Sequence, residues 1–264
     1  MAFAADLNER LSAYAGLIHA VSLERGINHA ISIAVDEYSL VRRLPSEYAG
    51  LPINVAVDKW GVMHLPTDEK EVHLRRDRTI NLEDALVIAL YLNAYLRHAN
   101  SVRFASFFPI PTKGISSLGP PGKPIVLQTV FYPFELYSRT CGQLALDVFW
   151  NGETFSGTYK HHKYTGIRTL DVVATLDQSR KQLVVYVVNQ SKEEAMETTV
   201  SLASGELAGS VRVFVINGPD IKAENTDEKP NQVGVRETTL KASGQSFNFT
   251  FEPHSVTALV CAVT

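Results

Sequence analysis

The stretch ISIAVDEYSL, residues 31–40, decides how the chain is read. Ile31, Ile33, Ala34 and Val35 make an apolar run that ends on two adjacent carboxylates, Asp36 and Glu37. A continuous apolar run with polar flanks predicts a strand covered on both faces, the usual environment of a parallel sheet. On such a strand neighbouring side chains alternate, so Asp36 and Glu37 are expected on opposite faces. Glu37 has two readings. One is a solvated or arginine-paired carboxylate; the other is a catalytic group held rigidly at the mouth of a sheet.

The flanks of this strand set its context. Upstream, Leu7, Leu11, Tyr14, Leu17, Ile18 and Val21 recur at three- and four-residue spacing, which predicts an amphipathic helix over 6–24 with one buried face, stopped by Gly26. Downstream, 42–78 reads mainly as loop, with a short strand-like INVAV and a charge cluster, TDEKEVHLRRDR. NLEDALVIALYLNAYLRHAN follows as a largely buried helix, with Asn81 as N-cap, Asp84 three residues on, and Arg97 and His98 at its C-terminal end. SVRFASFF then predicts a second short strand. Helix, strand, loop, helix, strand is βα alternation, and in such folds sites form beyond the carboxyl ends of the strands.

The pattern changes after GISSLGPPGKP, residues 114–124. IRTLDVVATLD, QLVVYVVNQ, METTVSLA, GSVRVFVIN, QSFNFTFE and HSVTALVCAV are strand-like, with turn signals such as Asn217-Gly218-Pro219 between them and no helical pattern. This predicts an antiparallel β-sandwich of jelly-roll type over 125–264. The 124 residues before it are too few for a (β/α)₈ TIM barrel, which takes about 200–250 residues. The expected fold is therefore α/β plus all-β: an incomplete barrel segment over 1–124, then a sandwich.

Composition narrows the function classes. With 264 residues, 45% hydrophobic residues and a net charge of −3, the chain reads as a globular protein with no basic patch for nucleic acid and no membrane-spanning run. The N-terminus, MAFAADLNER, has no signal-peptide character, and Cys141 and Cys261 read as buried free thiols, which together predict a cytoplasmic protein. The sequons at Asn189 and Asn248 read as chance matches. His161 and His162 are adjacent without a third ligand, so no metal site is predicted, and Glu9 in LNER reads as helix surface. Phosphate-loop, nucleophile-elbow and metal signatures are lacking.

IAVDEY, LEDALVIALYLNAYLRHANSVRFAS, LQTVFYPFELYSR and FEPHSVTALV, in that order, resemble the C-terminal portion of glycoside hydrolase family 51 α-L-arabinofuranosidases. The resemblance implies a retaining glycosidase with a barrel and a jelly-roll sandwich, acting without cofactor on terminal α-L-arabinofuranosyl groups of arabinan- or arabinoxylan-type glycans. It places Glu37 at the nucleophile position and Tyr38 beside the sugar. It also marks three departures. The family's acid/base Glu follows an Asn on an earlier barrel strand that this sequence does not contain. Tyr38-Ser39-Leu40 stands where Trp-Asn-Val is usual, and Pro109 lies near a position where many relatives carry a sugar-contacting Gln. The resemblance therefore leaves two functions open: part of an active arabinofuranosidase, completed by a complementary N-terminal barrel fragment or by a homo-oligomer, or an inactive relative whose sandwich binds partners or glycans.

Overall fold

The computed structural model describes residues 1–28, 30–38, 54–58, 61–65, 80–107, 116–117, 125–159 and 162–264; for residues 3, 36–38, 54–58, 61–65 and 116–117 the backbone alone is described. The chain is mostly β. Its helices among the described residues are α1 (Ala2–Arg25), α2 (Leu82–Arg97) and α3 (Phe131–Thr140). The first strand, β1 (Ile33–Tyr38), is followed by a hairpin of β2 (Asn54–Asp58) and β3 (Gly61–Leu65), then by β4 (Val102–Phe107) and the short pair β5 (Ser116–Ser117) and β6 (Val126–Leu127). After α3 come β7 (Leu144–Leu146), β8 (Thr154–Tyr159), β9 (His162–Arg168), β10 (Leu170–Asp177), β11 (Gln182–Asn189), β12 (Met196–Ser201), β13 (Leu207–Asn217), β14 (Gly234–Gly244), β15 (Ser246–Phe251) and β16 (Ser255–Val263).

Six of these strands form one antiparallel sheet in the order β14-β13-β16-β11-β10-β7. Its central strand explains the architecture. QLVVYVVN is buried almost throughout, with Val184, Tyr186 and Val188 in one apolar cluster and Leu183, Val185 and Val187 in another. Alternate residues of a strand face opposite ways, so both faces of this sheet are covered. On one side lie α2 and α3, through Leu86, Ile88, Tyr91, Leu136 and Tyr137. On the other lies the β12–β15 ribbon, through Met196, Val200, Phe247, Phe249 and Phe251. The second cluster is the apolar interior expected of a β-sandwich.

Helix α2 is built as its sequence requires. The Asn81 N–H donates to the Asp84 carboxylate at 2.9 Å, half of a capping box. The Leu82 and Glu83 N–H groups donate to the Ala223 and Ile221 carbonyls at 2.8 and 2.9 Å, so the loop after β13 closes the helix N-terminus. Helix α1 ends as predicted at Gly26, whose left-handed φ of 62° suits glycine. The Ile27 N–H to Ser22 carbonyl bond, 2.9 Å, completes a Schellman-type stop. Gly157 on β8 is required for another reason: a Cβ there would lie 2.9 Å from that of Ala2, so glycine lets α1 approach the β8–β9 pair.

Several expectations need correction. FYPFELYSRT forms α3, although that region reads as free of helix. Pro133 sits in the first turn, where its missing N–H has no intrahelical partner to lose. Beyond Leu11 the stripe on α1 is only partly covered: Ile18 is half-buried, but Tyr14, Leu17 and Val21 are 44%, 60% and 38% exposed. Cys261 is buried but Cys141 is exposed. IRTLDVVATLD is divided between β9 and β10, and β14 was not expected, because GVRETTLKASG is an edge strand whose mostly exposed side chains carry no apolar signal. The charge cluster at 67–78 and Pro109 lie outside the described residues, as does most of the 114–124 linker.

Candidate active site

Strands β1 and β4 pair in parallel, with Ile33 opposite Val102 and Val35 opposite Ala105. The Ile33 N–H donates to the Ser101 carbonyl at 2.7 Å. Helix α2 comes between them in sequence and returns directly into β4, since the Ser101 and Val102 N–H groups both bond the His98 carbonyl, at 2.9 and 2.8 Å. The result is a βαβ-type unit in which Tyr38 and Phe107 mark the carboxyl end. Glu37 therefore stands at the carboxyl end of a parallel strand, as the sequence predicts.

The register is irregular at that point. Between the pairs Val35↔Ala105 and Tyr38↔Phe107, β1 has two residues, Asp36 and Glu37, where β4 has one, Ser106. An extra residue of this kind interrupts a ladder, and such irregularities recur beside active sites, where they re-aim a side chain. The side chains of Asp36, Glu37 and Tyr38, and with them the expected alternation of the two carboxylates, lie outside what is described.

The pair is covered on one face only, which corrects the expectation of a strand buried on both. Val35 packs with Leu11 of α1 and Ala94 of α2, and Ile33, Val102 and Ala105 pack around them. Ala34 is exposed and Phe104 is 57% exposed on the other side. At the carboxyl end, the Phe107 ring meets Phe134 of α3 with centroids 5.2 Å apart.

A partly buried polar network fixes the other end. Arg97 donates to both carboxylate oxygens of Asp171 on β10, at 3.0 and 2.9 Å, and to the Asn8 side-chain carbonyl on α1 at 3.0 Å. Asn93, fully buried, donates to Asp171 at 2.7 Å and accepts from the Tyr137 hydroxyl at 2.6 Å. Burial, with Tyr186 stacked on it at 4.0 Å, holds the Tyr137 hydroxyl well above the ordinary tyrosine range. Burial and the neighbouring Arg97 charge lower the pKa of His98. Asn8 of LNER is thus an anchor, and Glu9 is exposed as expected.

Other sequence candidates are dispersed. His161 lies outside the described residues, and His162 is exposed with its ring edge-on to Tyr164. Among the described residues no group of three His, Cys, Asp or Glu converges on one point. The Asn189 side-chain amide donates to the carbonyls of Glu194, Phe251 and Glu252, so in the folded chain this sequon residue is a buried structural link. Its neighbourhood contains a cluster that sequence reasoning missed. Glu252 accepts from Arg236 and from the Asn217 amide at 2.9 Å, while the Asn217 side-chain carbonyl accepts from the Gly218 N–H and from His254 Nδ1, both at 2.8 Å. In the sequence Asn217 reads only as a turn residue, because its partners lie up to 37 positions away.

The relationships of the chain follow this geometry. Residues 58–255 match the family model described as the alpha-L-arabinofuranosidase C-terminal domain. A probable alpha-L-arabinofuranosidase C of Aspergillus flavus is 28% identical over 242 residues, covering 90% of this chain and 45% of the relative. An exo-alpha-(1→6)-L-arabinofuranosidase of Bifidobacterium longum is 27% identical, covering 86% and 44%. The solved family 51 arabinofuranosidase of Thermotoga petrophila superposes with a TM-score of 0.75 at 21% identity, over 98% of this chain and 49% of that one. The chain thus spans about half the length of these relatives. With three quarters of its residues inside the family model, the chain belongs to the alpha-L-arabinofuranosidase C-terminal domain family and corresponds to the C-terminal portion of a glycoside hydrolase family 51 arabinofuranosidase.

Proposed function

We propose that this chain supplies the nucleophile half of a retaining α-L-arabinofuranosidase, with Glu37 as the nucleophile and Tyr38 lining the sugar site. One observation carries this reading. Glu37 stands at the carboxyl end of β1, parallel to β4, where sheets of this kind place their chemistry. A retaining mechanism needs an ionised carboxylate that attacks the anomeric carbon and a second carboxyl group about 5 Å away that acts as acid, then base. The second group would come from a complementary barrel fragment or from another copy. The bare face at Ala34 and Phe104 is where such a partner would sit. The reading takes 1–124 as the last units of a (β/α) barrel and 125–264 as a jelly-roll sandwich.

The substrate is a terminal arabinofuranosyl group of an arabinose-containing glycan, as the names of the relatives suggest. No cofactor enters this chemistry. Relatives from Streptomyces lividans and Bacillus subtilis are named intracellular, which supports a cytoplasmic site of action. No helix among the described residues is long and apolar enough to cross a membrane.

The test is hydrolysis of an aryl α-L-arabinofuranoside by the wild-type chain and by Glu37→Ala. An aryl leaving group needs little protonation, so the assay tolerates loss of the acid, which is otherwise worth about 10²–10⁴ in rate. Turnover abolished by Glu37→Ala supports the reading. Equal turnover in both chains removes Glu37 from the chemistry, and none in either leaves this half without a competent site of its own.

A further inference from the structure

The cluster of Asn217, Arg236 and Glu252 lines an open cleft of about 330 Å³, together with Val215, Gly218, Pro219, Gln232 and Gly234. We propose that this cleft is a second carbohydrate subsite, which holds a neutral glycosyl unit of the glycan whose terminal sugar reaches Glu37. The proposal rests on the function argued above for the identity of that glycan.

Three features suit a sugar. The volume stands at the lower end of the roughly 300–1,000 Å³ typical of small-ligand sites. The charges are already balanced, because Arg236 is paired with Glu252, so a neutral ligand is favoured over an ion. The polar groups are also preset. Asn217 has its carbonyl filled by Gly218 and His254 and its amide directed to Glu252, so it serves as a rigid support. The Gln232 amide makes no hydrogen bond among the described residues, and Arg236 is 57% exposed with guanidinium N–H groups to spare. Donors on Gln232 and Arg236, beside acceptor lone pairs on Glu252, match hydroxyl groups that both give and accept. Gly218 and Pro219 offer C–H surface to a sugar ring.

Position supports the assignment. The loop that forms one wall of the cleft is the one that closes the N-terminus of α2, through Ala223 and Ile221. Asn225 of that loop holds the Val233 backbone at 2.8 and 2.9 Å and touches the Tyr132 hydroxyl of α3 at 3.3 Å. Phe134, two residues along α3, packs on Phe107 at the carboxyl end of β4. Helix α2 enters β4 from its C-terminal end, so its N-terminus and the cleft belong to the end of the molecule that carries Glu37.

The test uses the full chain bearing Glu37→Ala, so that a linear α-1,5-linked arabinotriose remains intact during titration followed by amide NMR. Shifts are expected at 217–219, 232–236 and 252. Adding Gln232→Ala should weaken binding about 3- to 10-fold, as one lost hydrogen bond implies. Adding Gly234→Val should weaken it more, since a Cβ at Gly234 meets nothing within 4 Å and a branched side chain would fill the cleft. Equal affinity in all three chains overturns the proposal, as does the absence of binding at millimolar trisaccharide. Because binding is read without turnover, a cleft that still binds in a chain whose turnover Glu37→Ala leaves unchanged would refute the catalytic reading alone.

Discussion

Helices α1 and α2 both repeat apolar residues at helical spacing, α1 as one stripe and α2 more densely, and they are held differently. In α2, Leu82, Leu86, Ile88 and Tyr91 are fully or almost fully buried between the six-stranded sheet and its neighbours. In α1, Leu11 is buried, but Tyr14, Leu17 and Val21 beyond it are exposed. Its N-terminal half is tied down by Ala4, Leu7 and Leu11, which pack into the core, and by polar contacts: Asp6 accepts from the Tyr164 hydroxyl at 2.6 Å, and Asn8 accepts from Arg97. A periodic stripe states that a helix needs a cover; the rest of the fold decides whether one is supplied.

The sharpest way to break this contrast is to truncate one leucine in each helix. Leu86→Ala should cost about 2–5 kcal/mol, as for other buried leucines. Leu17→Ala should stay within about 0.5 kcal/mol, as for surface changes. Urea unfolding of both variants measures the difference. If Leu17→Ala proves as costly as Leu86→Ala, the stripe on α1 is covered in solution and the contrast fails.

The next effect concerns the polar hinge shared by both helices. Asp171→Ala leaves Arg97 without its carboxylate and Asn93 with only the 3.4 Å bond to the residue 171 backbone carbonyl, in a site where the Arg97 and Asp171 side chains are 26% and 16% exposed. A loss of about 3 kcal/mol is expected, because the cost falls mainly on the uncompensated partner. Amide exchange should rise in α1 and at the C-terminal turn of α2 before it rises in β11. Uniform acceleration across the sheet would show that the pair supports the whole core rather than the helix junction.

The smallest effect is a pH dependence confined to α1. Burial and the hydrogen bond to Asp6 push the Tyr164 pKa up to about 12, against 10.0 for a free tyrosine. The unfolded chain therefore loses this proton first as pH rises. The stabilisation is fully present below about pH 10 and is lost towards pH 12. Tyr164→Phe should remove this contribution while leaving α2 unaffected, which amide exchange in each helix at pH 9 to 11 would read. An alkaline loss of α1 protection that persists in Tyr164→Phe would assign the effect to another group.

Much of the fold could be read from residue patterns alone. The six strand-like segments of the C-terminal half correspond to β10, β11, β12, β13, β15 and β16, because alternating or continuous apolar residues dictate them. The exposed edge β14 carries no such signal. Helix α3 was hidden by Pro133, which reads as a breaker unless the helix start is known. Glu37 was legible as a carboxylate at a strand end, since that depends on local order. The cleft was not, because Asn217, Gln232, Arg236 and Glu252 come from separate strands and turns and meet only through β-pairing and the loop over α2.

The sequence by itself determined most of the elements, though not α3 or β14, along with the capping of α2, the stop of α1 and the resemblance that names the family, since each rests on neighbours a few positions apart or on the order of motifs. Only the tertiary structure decided that β11 is covered on both faces and β1 on one. It also decided that α1 stands half uncovered, and that four polar residues converge beside the N-terminus of α2. Burial and convergence depend on which distant surfaces meet, and that is a property of the packed chain rather than of any segment.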